Sequence, residues 1–105
     1  MDIAGLRAIR DGRFFEGWDD YVPKEHITAS EASIRQLIDD LIALGKKATE
    51  RAARRAVDAC VRRFNDMDDG WICTIEREDI CEQVDRVIEL AGFKPDEDWL
   101  DERDW

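Results

Sequence analysis

Thr49 to Asp68 reads TERAARRAVDACVRRFNDMD, and this stretch decides how the rest of the 105-residue chain is read. Ala53, Ala56, Val57, Cys60, Val61, Phe64 and Met67 recur at steps of three and four, the spacing that brings side chains to one face of an α-helix. Arg51, Arg54, Arg55, Arg62 and Arg63 fall largely outside that stripe, so the helix offers an apolar face and a cationic one. It is the only basic segment: Lys46 to Arg63 holds seven basic and two acidic residues, while the whole chain carries -10. A basic helix in an acidic protein predicts ion pairs within the domain. It reads as the scaffold on which the second and fourth helices pack, with its arginines holding acidic segments in place.

Upstream, Thr28-Ala29-Ser30-Glu31 has the form of a capping box, with Ile27 and Ala32 placed to close a hydrophobic staple. From there a second helix runs to about Leu44, burying Ile34, Leu37, Ile38 and Leu41, and Gly45 stops it. Only Gly45 to Ala48 separates it from the basic helix, which predicts an antiparallel hairpin. Before Thr28, the aromatic residues of RFFEGWDDYVPK (Arg13 to Lys24) follow no period, which suggests an ordered loop pinned by Phe14, Phe15 or Trp18. Asp2 can cap a first helix with Ile3, Leu6 and Ile9 on one side and Gly12 as its stop, too short to be stable alone.

Downstream, Asp68, Asp69 and Gly70 break the helical pattern, and Thr74 is a natural N-cap for a fourth helix from Ile75 to Ala91. Ile80, Val84, Val87, Ile88 and Ala91 share its apolar face, and Glu76, Glu78 and Asp79 favour the positive end of its dipole. Gly92 is the C′ residue, with Phe93 packing back on the last turn. The remaining KPDEDWLDERDW (Lys94 to Trp105) has six acids against Lys94 and Arg103. Trp99, Leu100 and Trp105 are too apolar for a solvated tail, so a short turn docked by tryptophans is expected, with Pro95 as starter and Asp96 as cap. The whole is read as all-α: one domain over residues 1–105, a small bundle of three main helices, a short N-terminal helix and an ordered acidic tail over 94–105.

Hydrophobic residues make up 44% and charged residues 40%, which suits amphipathic helices with heavily solvated outer faces. With 26 acids against 16 bases, the surface field repels nucleic acid and anionic membrane and attracts basic proteins. No apolar run approaches the roughly 20 residues of a membrane span, and MDIAGLRAIRDG lacks the apolar core of a secretory signal, so a cytoplasmic protein is expected. Cys60, Cys73 and Cys81 are odd in number and lack metal-ligand spacing, so all three are taken as reduced.

Glu76, Asp79, Glu82, Asp85 and Glu89 stand on neighbouring turns of one helix, where acids can share a divalent cation, as in metal-dependent all-α hydrolases. Those enzymes use facing helices, and Arg77 and Arg86 interrupt this row, so a solvated acidic face is the simpler reading. His26 is a lone histidine. There is no Gly-rich phosphate loop, Ser-nucleophile motif or H-E-x-x-H. No catalytic residue, metal ligand or cofactor is therefore assigned. The arginine helix alone argues for nucleic acid, against the charge of everything around it.

Binding to a protein is better supported. Trp18, Asp19, Asp20 and Tyr21, and Trp99 and Trp105 among Asp96, Glu97, Asp98, Asp101 and Glu102, combine aromatic anchors with acids that steer a basic partner. The same tryptophans can equally fasten loop and tail to the bundle. In size, acidity and the patches Trp18–Tyr21 and Asp96–Trp105, the chain resembles the immunity proteins that bacteria keep against their own secreted nuclease toxins. That resemblance implies binding to a cationic toxin domain and blocking its active site, with carboxylates standing where substrate phosphates bind. The alternative is an acidic nucleic-acid mimic or adaptor that inhibits another DNA- or RNA-binding protein.

Overall fold

The basic helix forms where its stripe predicts. In the computed structural model, which describes residues 1–105, four helices follow in order: α1 (Ile3–Arg10), α2 (Lys24–Leu44), α3 (Glu50–Met67) and α4 (Thr74–Leu90). Single 3-10 turns lie at Glu16–Trp18 and Glu97–Leu100. The Thr49 hydroxyl accepts the Ala52 N–H at 3.1 Å and caps α3, whose Ala53, Ala56, Val57, Cys60, Val61 and Phe64 are buried. Met67 is only partly covered. The fold is all-α, as read from the sequence.

Three boundaries differ from the sequence expectation. α2 begins at Lys24 with Pro23 at its N-cap, about a turn before Thr28. The fixed φ of proline and its missing N–H cost nothing at that end of a helix. Thr28 is thus inside the helix and no capping box forms. Glu31 turns instead to the loop, and Ala32 is exposed, so it makes no staple with the buried Ile27. α4 starts one residue early, with Cys73 at the N-cap and Thr74 as its first residue, and Glu76 Oε1 accepts the Cys73 N–H at 2.9 Å. At its far end α4 closes at Leu90, with Ala91 as cap.

The turn after α4 is the expected one. Gly92, at φ +91°, donates its N–H to Glu89 O at 2.9 Å, and the Phe93 N–H reaches Ile88 O at 3.2 Å, the paired bonds of a Schellman motif. At the other end of the chain, Asp2 Oδ1 accepts the Gly5 N–H at 2.8 Å and caps α1. The Asp2 N–H in turn donates to Leu90 O at 2.7 Å, so the start of α1 completes the end of α4.

α2 and α3 form the antiparallel hairpin, the most extensively packed helix pair in the molecule. Ser33 meets Cys60 across it, and Arg63 donates to the Ser33 hydroxyl and carbonyl at 3.0 Å each. The hub, however, is α2, which packs against α1, α3 and α4, whereas α3 packs between α2 and the C-terminal tail. The basic helix is therefore the platform for the tail, and the fourth helix leans on α1 and α2 instead. The buried apolar residues of all four helices, the loop and the tail make one cluster of 25. All three cysteines are free, and no helix is long and apolar enough to cross a membrane.

Candidate functional site

The loop before α2 closes around one buried carboxylate. Glu31 is 5% exposed, and it accepts the Phe14 N–H at 2.8 Å, the Phe15 N–H at 3.1 Å and Arg13 Nε at 2.8 Å. Burial pushes the Glu31 carboxyl up, but the Arg13 hydrogen bond, the two backbone donors and the Arg13 charge together outweigh it and leave it below its ordinary value. Phe15 then stacks on Trp18 at 4.0 Å, and Trp18 Nε1 donates to Asp79 of α4 at 2.8 Å. The Tyr21 hydroxyl donates to Glu76 at 3.2 Å; burial, that bond and the Glu76 and Asp79 charges raise its pKa. Phe14, Phe15 and Trp18 all pin the loop.

The tail is fastened to α3. Asp96 caps its 3-10 turn by accepting the Asp98 N–H at 2.9 Å. Trp99 Nε1 donates to Lys94 O at 3.1 Å, and the Arg54 guanidinium lies 4.3 Å above the Trp99 ring. Trp105 meets Phe64 edge-on at 5.8 Å. Asn65 donates to Glu102 O at 2.8 Å and accepts the Asp104 N–H at 2.9 Å, while Arg54 pairs with Asp96 and Arg62 with Glu102. Two arginines of the basic helix thus hold the acidic tail. Arg51 and Arg55 enter no ion pair and are exposed.

These bonds correct the anchor assignment. Trp18 is 1% exposed, Trp99 1% and Trp105 7%, so the three tryptophans proposed as partner anchors are core, and they fasten loop and tail. Asp19, Asp20, Tyr21, Asp96, Glu97, Asp98, Asp101 and Glu102 remain exposed. Among them Asp19, Asp96 and Glu102 already pair with Arg13, Arg54 and Arg62.

α4 supplies the rest of the surface, from residues read in the sequence only as a solvated face. By helical period, Glu76 and Asp79 lie on the flank that meets the loop, Cys81 and Asp85 on the flank toward the tail, and Glu78, Glu82 and Glu89 between them. Arg103 of the tail reaches Cys81 Sγ at 3.4 Å. Two adjoining open grooves of about 620 and 630 Å³ share Cys81 and Asp85 and carry the surface from Glu78 and Glu82 to Glu97 and Asp101. Arg86 and Arg103 are the only cations lining them. No acid of α4 enters an ion pair. Burial, then the charge of Glu89, raises the Asp85 carboxyl above its ordinary range. The two patches singled out in the sequence thus flank one acidic helix face.

Glu76 and Asp79, two of the acids considered as metal ligands, hold the loop, and no group of three or more His, Cys, Asp or Glu side chains converges to hold an ion. His26 stacks flat on Trp71 at 4.6 Å. Burial raises the Cys60 and Cys81 thiols, the direction opposite to that of a reactive cysteine. Comparison with protein-family models, curated proteins and solved structures yields no match.

Proposed function

We propose that the chain is a non-catalytic, acidic protein-binding module of the immunity type, which binds a basic nuclease-type toxin and blocks its active site. The observation that carries this reading is the run of acids along α4 that enter no ion pair, continuous with the tail acids while Arg54 and Arg62 of α3 are turned to the tail. Like charges held close on a rigid helix destabilise the fold that carries them. A cationic partner relieves that repulsion and is drawn in faster by the same field. The carboxylates climb α4 in steps of about 4.5–6 Å, a spacing on which phosphate-binding cations can close.

The test is affinity capture from the native host at about 0.1 M salt, repeated at about 1 M, where screening shortens the reach of surface charge to about 3 Å. The expected catch is a basic nuclease that is lost at high salt and whose activity the purified chain inhibits stoichiometrically. Capture weakened by Glu82→Lys with Glu89→Lys places the contact on α4. A DNA- or RNA-binding catch without nuclease activity selects the nucleic-acid-mimic alternative. A salt-indifferent or neutral catch removes both.

A further inference from the structure

With the tryptophans withdrawn into the core, few large apolar side chains face solvent. They are Ile75 at 62% exposure, Tyr21 at 55% and Leu44 at 37%. Leu44 ends α2, whose 21 residues carry it roughly 30 Å from the loop end of the bundle. Tyr21 and Ile75 instead both lie at the start of α4: the Tyr21 hydroxyl binds Glu76, the residue after Ile75.

We infer that Tyr21 and Ile75 are the apolar anchor point of the acidic surface, and that the segment docking there is basic and carries a large apolar side chain among its cations. This rests on the reading of the α4 face as a protein-binding surface. Both side chains are held before any partner arrives. Ile75 is the second residue of α4, where a β-branched side chain has essentially one rotamer. The Tyr21 ring is tethered through its hydroxyl. Anchors already fixed in place lose little entropy on binding. Around them stand Asp20 and Glu78, both exposed and neither in an ion pair, and on the helix face beyond them Glu82. The loop's own cation, Arg13, is committed to Asp19 and Glu31. Exposed apolar side chains beside carboxylates in no ion pair select a partner that brings apolar surface and positive charge together.

Two synthetic peptides test this on the full ¹⁵N-labelled chain: a short arginine-rich peptide with one central Trp, and the same peptide with Ser in its place. The Trp peptide should bind at least about fivefold more tightly, the usual threshold for an interface anchor. Its amide shifts should centre on Tyr21, Ile75, Glu78 and Glu82. Ile75→Ser, at a largely exposed site, should abolish the preference and leave the Ser peptide's affinity unchanged. Equal binding of the two peptides, or shifts confined to Glu97 and Asp101, overturns the anchor while leaving the acidic protein-binding reading standing. No binding of either peptide at low salt takes down both.

Discussion

The loop of residues 13–23 and the tail of residues 94–105 are alike in composition and are held in opposite senses. In the loop, donors come from the loop itself (Arg13, two backbone N–H groups, Trp18 and Tyr21), and the helices supply the carboxylates Glu31, Asp79 and Glu76. In the tail, the acids belong to the segment, and α3 supplies the cations Arg54 and Arg62 together with Asn65. An acid in this protein can therefore be the fastener or the thing fastened. Only those left over from both duties, Glu78, Glu82 and Glu89 of α4 among them, are free to meet another molecule.

The largest effects test whether the two segments are equally core. Trp18→Ala and Trp99→Ala should each cost about 3–5 kcal/mol in denaturant unfolding, because each empties a fully enclosed site. If Trp99→Ala instead kept full stability and lost partner binding, the tail would be interface and the comparison would break. Glu31→Ala comes next, at about 2–4 kcal/mol, since it strands the Phe14 and Phe15 N–H groups without an acceptor. Hydrogen exchange should quicken at those two amides while the Asp104 amide, held by Asn65, stays protected. Arg54→Ala should cost about 1 kcal/mol, the worth of a half-exposed ion pair and a cation over Trp99, and loosen the tail alone.

The finest distinction lies in acid. Glu31 titrates below its ordinary 4.5 in the folded chain, so its contribution is present above that value and is lost as pH falls through the folded one. Asp58 is raised by burial and then by the charge of Glu102, and Asp85 by burial and Glu89, both from 3.8. Their contributions run the other way: full below 3.8 and lost as pH rises through the folded values. Acidification below pH 4.5 should therefore loosen the loop while easing the repulsion beside the tail. Residue-resolved exchange against pH would show the two diverging; a common response would mean that they share one determinant.

What was legible in the sequence was what burial makes periodic. The stripes of α2, α3 and α4 could be read because a helix repeats its inner face every three or four residues, and Gly92 because a left-handed turn favours glycine. The start of α2 was not legible. Thr28 and Glu31 satisfy a local capping rule, but two buried N–H groups some sixteen residues upstream claim Glu31, and nothing at Thr28 records that demand. The tryptophans announced that loop and tail are ordered, while their burial depends on packing that no local pattern encodes. The acid row of α4 was plain in the sequence. Its want of partners emerged only when Arg54 and Arg62 were seen turned toward the tail.

The bond from the Asp2 N–H to Leu90 O joins the first helix to the last. α1 has eight residues, too few to persist as a helix in water on its own. The Leu90 carbonyl, which α4 cannot satisfy by itself, is closed from Asp2 instead, so fraying at the start of α1 is felt at the end of α4.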